Sequence, residues 1–477
     1  MIARDRTAIR RNDLSRPIRT ALHDGVVSSE TEVLDYGCGH GDDVRHLGQA
    51  GIRAFGWDPA HRPEGLRRRA DVVNLGYVVN VVENPQERAE SLRNAWTFAG
   101  RLLIVAARLK SDLDLKEFNV LEDGYVTRLQ TFQKFFEQQE LRDWLEEVVG
   151  ETPVAAAPGV FYLFRQPAER EQFVASRYRR RIAAPRIRTS DRLFEEHQAH
   201  LQRLMTFIAE RGRLPEPDEI DNAADLAFIF GSIRRAFQLV RRVTGAEQWE
   251  SITGERRTDL LVYMALGRFP RRPAFSSLPR GLQRDVKSFF KTYKAASGAA
   301  DALLFEAGDM AKVNGACGQA VFGKLMPTAL YVHVAGLSRL APILRVYEGC
   351  AKVLCGDIEG ATIVKLRRNE PKISYLCYPG FDAQAHPALE SSVRVDLRSF
   401  GIKYRQFKNA ESPPVLHRKE LFVPEDYPNR AAFDALTQAE VNLGLLEESQ
   451  DIGLQKQWNE ILKRSGWRVQ GHALAPL

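Results

Sequence analysis

The sequence predicts an α/β fold in three parts. A doubly wound, parallel-rich domain occupies residues 1–170, a helical module 191–311 and a mixed α+β region 312–477, with a basic linker at 171–190. Three observations carry this reading. Up to about residue 165, short apolar runs alternate with helical stretches, as in a parallel sheet covered on both faces. From 191 to 311 the apolar spacing changes to three and four. Beyond that, strand-like runs and turns return before a helical tail.

Taken in order, "MIARDRTAIRRNDLSRPIRTALHDG" is a basic helix-and-turn leader without the apolar core of a signal peptide. "EVLDYG" is a strand, "GDDVRHLGQAG" a helix closed by Gly51, and "IRAFGWD" a second strand. "ADVVNLGYVVNVV" supplies the third strand, "NPQERAESLRNAWTFAG" an amphipathic helix and "RLLIVAAR" a fourth strand. "LQTFQKFFEQQELRDWLEEVVG" reads as one long helix, and "GVFYLFRQ" as the last strand of the domain. The stretch "PAEREQFVASRYRRRIAAPRIRT" is charged, Pro-punctuated and without an apolar face, which marks a boundary. In the last part, "ALYVHVAGLSRLAPILRVYEGCAKVLCG" mixes short strands with turns and "VRVDLRSFGIKYRQF" is β-rich.

At 477 residues the chain exceeds a single core, and 44 % hydrophobic with 27 % charged residues is an ordinary globular composition. No window approaches 18 uninterrupted apolar residues, so no membrane span is expected and the protein reads as cytoplasmic. Cys38, Cys317, Cys350, Cys355 and Cys377 are scattered, without a C-x-x-C pair, and read as buried small hydrophobes. His197 and His200 lack an acidic or Cys partner at ligand spacing, so no metal site is expected.

The net charge of +7 is a mild bias, but its distribution is uneven. Residues 176–192 hold seven arginines and one acid, and residues 267–294 interleave Arg and Lys with Phe269, Phe275, Phe289, Phe290 and Tyr293. Cations neutralise phosphates and aromatic faces stack on exposed bases, so the two stretches together point to a nucleic-acid partner. Taken singly, they also fit a solvated linker and an amphipathic helix with its core stripe.

The sharpest signal is "TEVLDYGCGHGDDVRHL". A glycine-rich turn after a first strand lets a ligand approach the backbone, and the helix beyond it offers free N–H groups. The spacing is Asp35-x-Gly37-x-Gly39-x-Gly41, followed by Asp42 and Asp43. Two carboxylates at the helix entrance disfavour a pyrophosphate, and no Gly-Lys-Ser/Thr follows for a P-loop. This pattern resembles motif I of class I S-adenosylmethionine (SAM)-dependent methyltransferases, of Rossmann-like fold. That resemblance implies that Asp35, Gly37, Gly39 and Gly41 surround the cofactor, with Asp35 near its amino end. It also implies that Asp58, 17 residues beyond Gly41 at the end of "GWDP", takes the ribose hydroxyls. A cationic cofactor suits an acidic pocket. Between Asp58 and Asp71 only twelve residues intervene, so the usual third strand and its helix are abbreviated.

Asn74-Leu75-Gly76-Tyr77 stands where DNA amino-methyltransferases carry Asn/Asp-Pro-Pro-Tyr/Phe. Asn74 and Tyr77 match that pattern and both prolines are missing. The resemblance implies Asn74 as acceptor of the target amine's hydrogens and Tyr77 as a stacking surface for a flipped base. The alternative is that both are strand-end residues lining the cofactor pocket. Cys38 lies inside the glycine turn itself, so a thiolate attacking a cytosine ring is not expected.

Along most of its length the chain resembles the DNA phosphorothioation-associated methyltransferase family. The resemblance rests on "LSRPIRTALHDG", "VLDYGCGHGDDVRHL", "GWDP", "ADVVNLGYVVNV" and "RLLIVAAR" in the first domain. Later it rests on "LLVYMALGRFPRRPAFSSLP", "FGKLMPTALYVHVAGL", "YEGCAKVLCG", "PKISYLCYPGFD", "HPAL" and "SPPVLHRKELFV". It implies a bacterial protein tied to DNA backbone sulfur modification, restriction-modification and phage defence. In "SPPVLHRKELFV", His417, Arg418 and Lys419 are placed to meet a phosphate or phosphorothioate, or else form a solvated polar turn. The leading expectation is a SAM-dependent enzyme acting on DNA at an exocyclic amine, with possible defence-system partners. The alternatives are a non-catalytic SAM-binding assembly subunit and an RNA or small-molecule methyltransferase.

Overall fold

The computed structural model describes residues 7–110, 119–127, 130–180, 182–185, 192–269, 271–447 and 452–477. Two compact units divide the chain: Met1–Gln166, Asn314–Leu337 and Glu348–Leu477 form the first, Pro167–Val313 and Ser338–Tyr347 the second. The N-terminal and C-terminal segments, read separately from the sequence, therefore share one unit.

That unit opens with α1 (Arg16–His23), β1 (Glu32–Tyr36), α2 (Asp42–Gln49) and β2 (Arg53–Trp57). Next come β3 (Ala70–Gly76), α3 (Pro85–Phe98) and β4 (Ala99–Ala106). A small antiparallel sheet follows, of β5 (Asn119–Leu121), β6 (Gly124–Val126) and β7 (Phe132–Gln133), then α4 (Gln138–Val149), β8 (Val154–Ala157) and β9 (Val160–Phe164). The main sheet has the order β2-β1-β3-β4-β9-β8. Its first four strands are parallel, while β9 and β8 join antiparallel. Leu34, Val73, Leu103 and Leu163 of the strands pack with Leu92, Leu141 and Leu145 of α3 and α4. Burial on both faces explains why these strands read as continuous apolar runs. The strand order reverses at β1, which opens a crevice at the carboxyl ends of β1 and β3, where open α/β sheets bind ligands.

The doubly wound expectation holds, with three local differences. The long helix read from residue 129 starts only at Gln138, where Glu137 and Glu140 form a capping box. Before it, Phe132 pairs with Val126 of β6 and is fully buried. The hairpin partner β8 was not anticipated, because "PVAAAPG" is short and carries proline at both ends.

The second unit is helical, as expected. It contains α5 (Pro167–Arg177), α6 (Arg192–Glu196), α7 (Gln198–Arg211), α8 (Ala223–Phe230), α9 (Ile233–Thr244), α10 (Ala246–Leu266), α11 (Arg280–Phe290), α12 (Tyr293–Gly308) and the start of α13 (Met310–Gly318). Leu201, Leu204, Leu239, Val240 and Trp249 form a core. The boundary segment is not featureless: α5 buries Glu171, which accepts the Tyr263 hydroxyl at 2.6 Å. Arg181 and residues 186–191 of the basic stretch lie outside the described residues. Ser232 caps α9 by accepting the Arg235 N–H at 3.2 Å. Ser232→Ala is expected to cost about 1 kcal/mol in urea unfolding followed by circular dichroism, the usual worth of such a cap.

The C-terminal part of the first unit carries an antiparallel sheet in sequence order. Its strands are β10 (Lys324–Met326), β11 (Ala329–His333), β12 (Ile363–Arg367), β13 (Lys372–Cys377), β14 (Ser391–Asp396) and β15 (Gly401–Gln406). Between β11 and β12 lies α14 (Pro342–Cys355), read from the sequence as strands and turns. Pro342 is its first residue, where a proline starts a helix instead of breaking one. The tail is α15 (Arg430–Asn442), α16 (Gln455–Ser465) and the hairpin β16 (Trp467–Gln470) and β17 (Ala473–Pro476). Gln138 donates to the Leu354 carbonyl at 3.0 Å, and the Asp357 N–H donates to Ala156 at 2.9 Å, joining the two parts of the unit. No helix among the described residues is long and apolar enough to cross a membrane.

Candidate cofactor and acceptor site

Strand β1 delivers the glycine turn to the crevice. Gly37, Gly39 and Gly41 have φ of 86°, 52° and 81°, a region that side chains other than glycine rarely adopt. At Gly37 a Cβ would stand 2.3 Å from Val78 Cγ2, so the backbone is also in tight contact there. The Gly37 and Cys38 N–H groups both donate to the Trp57 carbonyl, at 2.8 and 3.1 Å, which locks the turn to the end of β2.

Asp58 completes that lock. One carboxylate oxygen accepts the Gly39 N–H at 3.0 Å, and the other accepts the N–H groups of Ala60 and His61, both at 2.9 Å. Asp58 also lines the cavity, and a carboxylate with three accepted bonds keeps capacity for a further donor.

The two acids after the glycines have partners the sequence did not suggest. Asp42 accepts the Arg11 N–H at 2.7 Å and Asp43 the Ser15 N–H at 2.7 Å. They tie to α2 the leader, whose Arg11 and Ser15 line the cavity, and the Arg11 bond chiefly holds the Asp42 carboxyl below its ordinary pKa. Ser15, itself buried, lines the cavity, and its Oγ has no hydrogen-bond partner among the described residues.

Behind the turn, Asn74 donates to Asp35 at 2.8 Å. Asp35 is 4 % exposed and Asn74 1 %. Burial, and then the neighbouring charge of Asp43, raise the Asp35 carboxyl to about 7, against the opposing Asn74 bond. Asn74 Oδ1 is without a hydrogen-bond partner among the described residues.

The cavity in front measures about 890 Å³, within the usual range of small-molecule sites. Of the residues singled out from the sequence, Gly37, Gly39, Asp58 and Tyr77 line it, whereas Asp35, Gly41 and Asn74 do not. Contrary to the sequence reading, Asn74 does not present its amide to the cavity; it turns back to Asp35 from within β3. Tyr77 has φ of 64°, uncommon outside glycine, held by its N–H donating to Ala106 at 2.8 Å. Arg11 stands 5.8 Å from the Tyr77 ring centre. Arg16 and Arg108 line the same cavity, as do Glu87, Ser91 and Gln133. The sequence offered no signal for these, because the leader and the β4 and β7 regions meet Tyr77 only in the fold.

Burial pushes the Cys38 thiol up to about 12, which disfavours the thiolate there. Elsewhere two expectations change. Lys419 is 2 % exposed and donates to the Phe381 carbonyl at 2.6 Å, and His417 is 7 % exposed, so neither forms a phosphate-facing cluster. In residues 267–294, Phe290 is buried, Phe275 packs on Tyr293 and the Tyr293 hydroxyl donates to Pro273. Phe275 and Tyr293 are half-buried, while Phe269 and the cations Arg268, Arg271, Arg280, Lys287, Lys291 and Lys294 are exposed.

Residues 7–148 match the family model described as a methyltransferase domain. No curated protein matches the chain. Among solved structures, the chain is similar to the 1,6-didemethyltoxoflavin-N1-methyltransferase of Burkholderia thailandensis, bound to 1,6-didemethyltoxoflavin and S-adenosylhomocysteine, at 18 % identity over 31 % of this chain and 75 % of that one (TM-score 0.23). It is also similar to magnesium protoporphyrin IX methyltransferase from Synechocystis PCC 6803 with bound SAM, at 17 % identity over 34 % of this chain and 88 % of that one (TM-score 0.21). A third is the CcbJ methyltransferase of Streptomyces caelestis, at 14 % identity over 33 % of this chain and 92 % of that one (TM-score 0.25). The match over residues 7–148 and the glycine turn locked to Asp58 make this region a Rossmann-like, SAM-dependent methyltransferase domain.

Proposed function

We propose that the chain methylates DNA at an exocyclic amine of a base, in the setting of backbone sulfur modification that its family resemblance implies. The observation that carries this reading is the cavity itself. Its lining includes the glycine turn with Asp58 and the strained Tyr77, whose ring has Arg11 5.8 Å away, together with Arg16 and Arg108. Backbone strain of this kind costs about 1–3 kcal/mol and concentrates at functional sites. An aromatic ring in a cavity lined by guanidinium groups suits a planar base carrying a phosphate. Exposed cations on α11 and α12 suit further phosphates of a polymer.

The residues fit the cofactor. Ser15 Oγ, in the cavity lining, has no hydrogen-bond partner among the described residues, and four acids (Asp35, Asp42, Asp43, Asp58) stand in or beside the turn, suiting a cation. When bound, SAM supplies an electrophilic methyl group on a sulfonium. The protein's own part is positioning, worth up to roughly 7–11 kcal/mol of a barrier when the reacting atoms are held in line. Asp58 and the glycine turn hold the donor side, and Tyr77 orients the acceptor. Asn74 acts through Asp35, as a positioning residue behind the turn. The amine loses a proton as its C–N bond forms and the methyl–sulfur bond breaks, and Glu87, which lines the cavity, is the group we assign to take that proton.

The test is incubation of the purified chain with tritiated SAM and plasmid DNA, with and without phosphorothioates. Label in DNA is expected, and Tyr77→Ala is expected to lower kcat/KM for DNA about 10- to 100-fold while SAM affinity stays within twofold. SAM binding without label in DNA would overturn the reading. A small anionic acceptor is the second reading, favoured by the leader segment that Asp42 and Asp43 hold and that lines the cavity with Arg11 and Arg16.

A further inference from the structure

We propose that His386, His417 and Glu440 bind one zinc ion in the C-terminal part of the first unit. Two loop segments bring the histidines together. The Leu389 N–H donates to Pro414 at 2.8 Å and the Leu416 N–H to Pro387 at 3.1 Å, so residues 386–389 and 414–417 run antiparallel. Helix α15 then brings up Glu440, which is fully buried. One ligand atom from each of the three lies within 4.8 Å of the others.

The hydrogen-bond inventory leaves this cluster short of positive charge. His417 Nε2 faces the Ile452 carbonyl at 2.7 Å, so that nitrogen carries the proton and Nδ1 holds a lone pair. Nδ1 is buried and has no hydrogen-bond partner among the described residues, and the same is true of Glu440 Oε2. His386 has acceptors on both sides, the Leu416 carbonyl 3.4 Å from Nδ1 and Glu440 Oε1 2.7 Å from Nε2. An imidazolium–carboxylate pair would satisfy His386 and one oxygen of Glu440. It would leave the His417 lone pair and the second carboxylate oxygen empty, at the cost that burying unpaired polar atoms carries. A cation among the three answers all of them.

Two imidazoles and a carboxylate are a zinc donor set, with bonds of about 2.0–2.2 Å that place ligand atoms about 3.4 Å apart. Small side-chain rotations close the difference. The Ile452 carbonyl supplies the outer hydrogen bond that orients a ligating imidazole. Trp458 packs on both rings, at 4.8 and 4.6 Å between centroids, shielding the site. His386 and Trp458 also line a cavity of about 290 Å³. Positions 386, 417 and 440 are too far apart in sequence for ligand spacing to reveal them.

The experiment is a titration of the full-length chain, stripped with EDTA and dialysed, first with Co²⁺ and then with Zn²⁺. One equivalent of Co²⁺ is expected to give the visible d–d absorption of a tetrahedral site, and Zn²⁺ to bleach it. Glu440→Gln and His417→Gln are each expected to weaken Zn²⁺ binding at least tenfold, with circular dichroism reporting whether each variant folds. A wild-type chain that takes up no stoichiometric Co²⁺ or Zn²⁺ overturns the proposal whatever the variants do. So does undiminished binding in both folded variants.

Discussion

Gly37→Ala is expected to lower SAM affinity at least about 100-fold, a loss of about 2.7 kcal/mol in binding. Two costs act at this position. A φ of 86° is unfavourable for any residue with a Cβ, by roughly 1–2 kcal/mol. The new Cβ would also stand 2.3 Å from Val78 Cγ2, and Val78, partly buried against the apolar core, would have to give way. Overpacking of this kind costs typically 1–3 kcal/mol. The chain escapes both by moving the turn, which breaks its bonds to Trp57 and Asp58 and so dismantles the donor side of the cavity. Adding Val78→Ala removes the collision and leaves the φ penalty. The double variant is therefore expected to regain part of the affinity in calorimetry, but not all of it. A Gly37→Ala protein that binds SAM like the wild type would remove the glycine turn from the cofactor site.

The contrast between Gly37 and Asn74 shows what the sequence could tell. The turn is a local object: a strand, glycines at alternate positions and a helix entrance lie within a dozen residues, and the requirement for positive φ is written in residue type. Asp58 was legible for the same reason, since β2 pairs directly with β1. Asn74 stands in the neighbouring strand β3, and its amide points to Asp35, 39 positions away, a direction set by register. Asp42 and Asp43 were read as charges at a helix entrance, because nothing in a sequence announces that the Arg11 and Ser15 N–H groups will return to meet them. The helix misread before Gln138 has a tertiary cause: Phe132 is worth more paired in a sheet and buried than in a helical turn. The arginines around Tyr77 arrive from the leader and from the end of β4, so only the fold assembles them.

Asp35 leads to a prediction in which stability and affinity move in opposite directions with pH. Its carboxyl is raised from 3.8 to about 7 by burial first and by Asp43 next, while Asn74 and Arg11 work the other way and Asp58 adds to the rise. Between those two values the folded chain holds a proton that the unfolded chain has lost. Stability therefore falls as pH rises through that window, by up to about 1.4 kcal/mol per unit, and levels off above it. A cationic cofactor reverses the preference, because it favours the ionised carboxylate. SAM affinity is thus expected to rise with pH up to about 7, by at most about tenfold per unit, and then to plateau. Calorimetry in buffers of different ionisation enthalpy should detect a proton released on binding below pH 7. Asp35→Asn keeps the shape and an acceptor for Asn74 but cannot ionise. It is expected to flatten both profiles and to bind SAM more weakly than the wild type above pH 7. Asn74→Ala removes a bond that favours the carboxylate, so the rise in affinity should shift to higher pH without disappearing. Unchanged profiles in Asp35→Asn would show that another group carries the proton, and would leave Asn74 with no path to the cofactor.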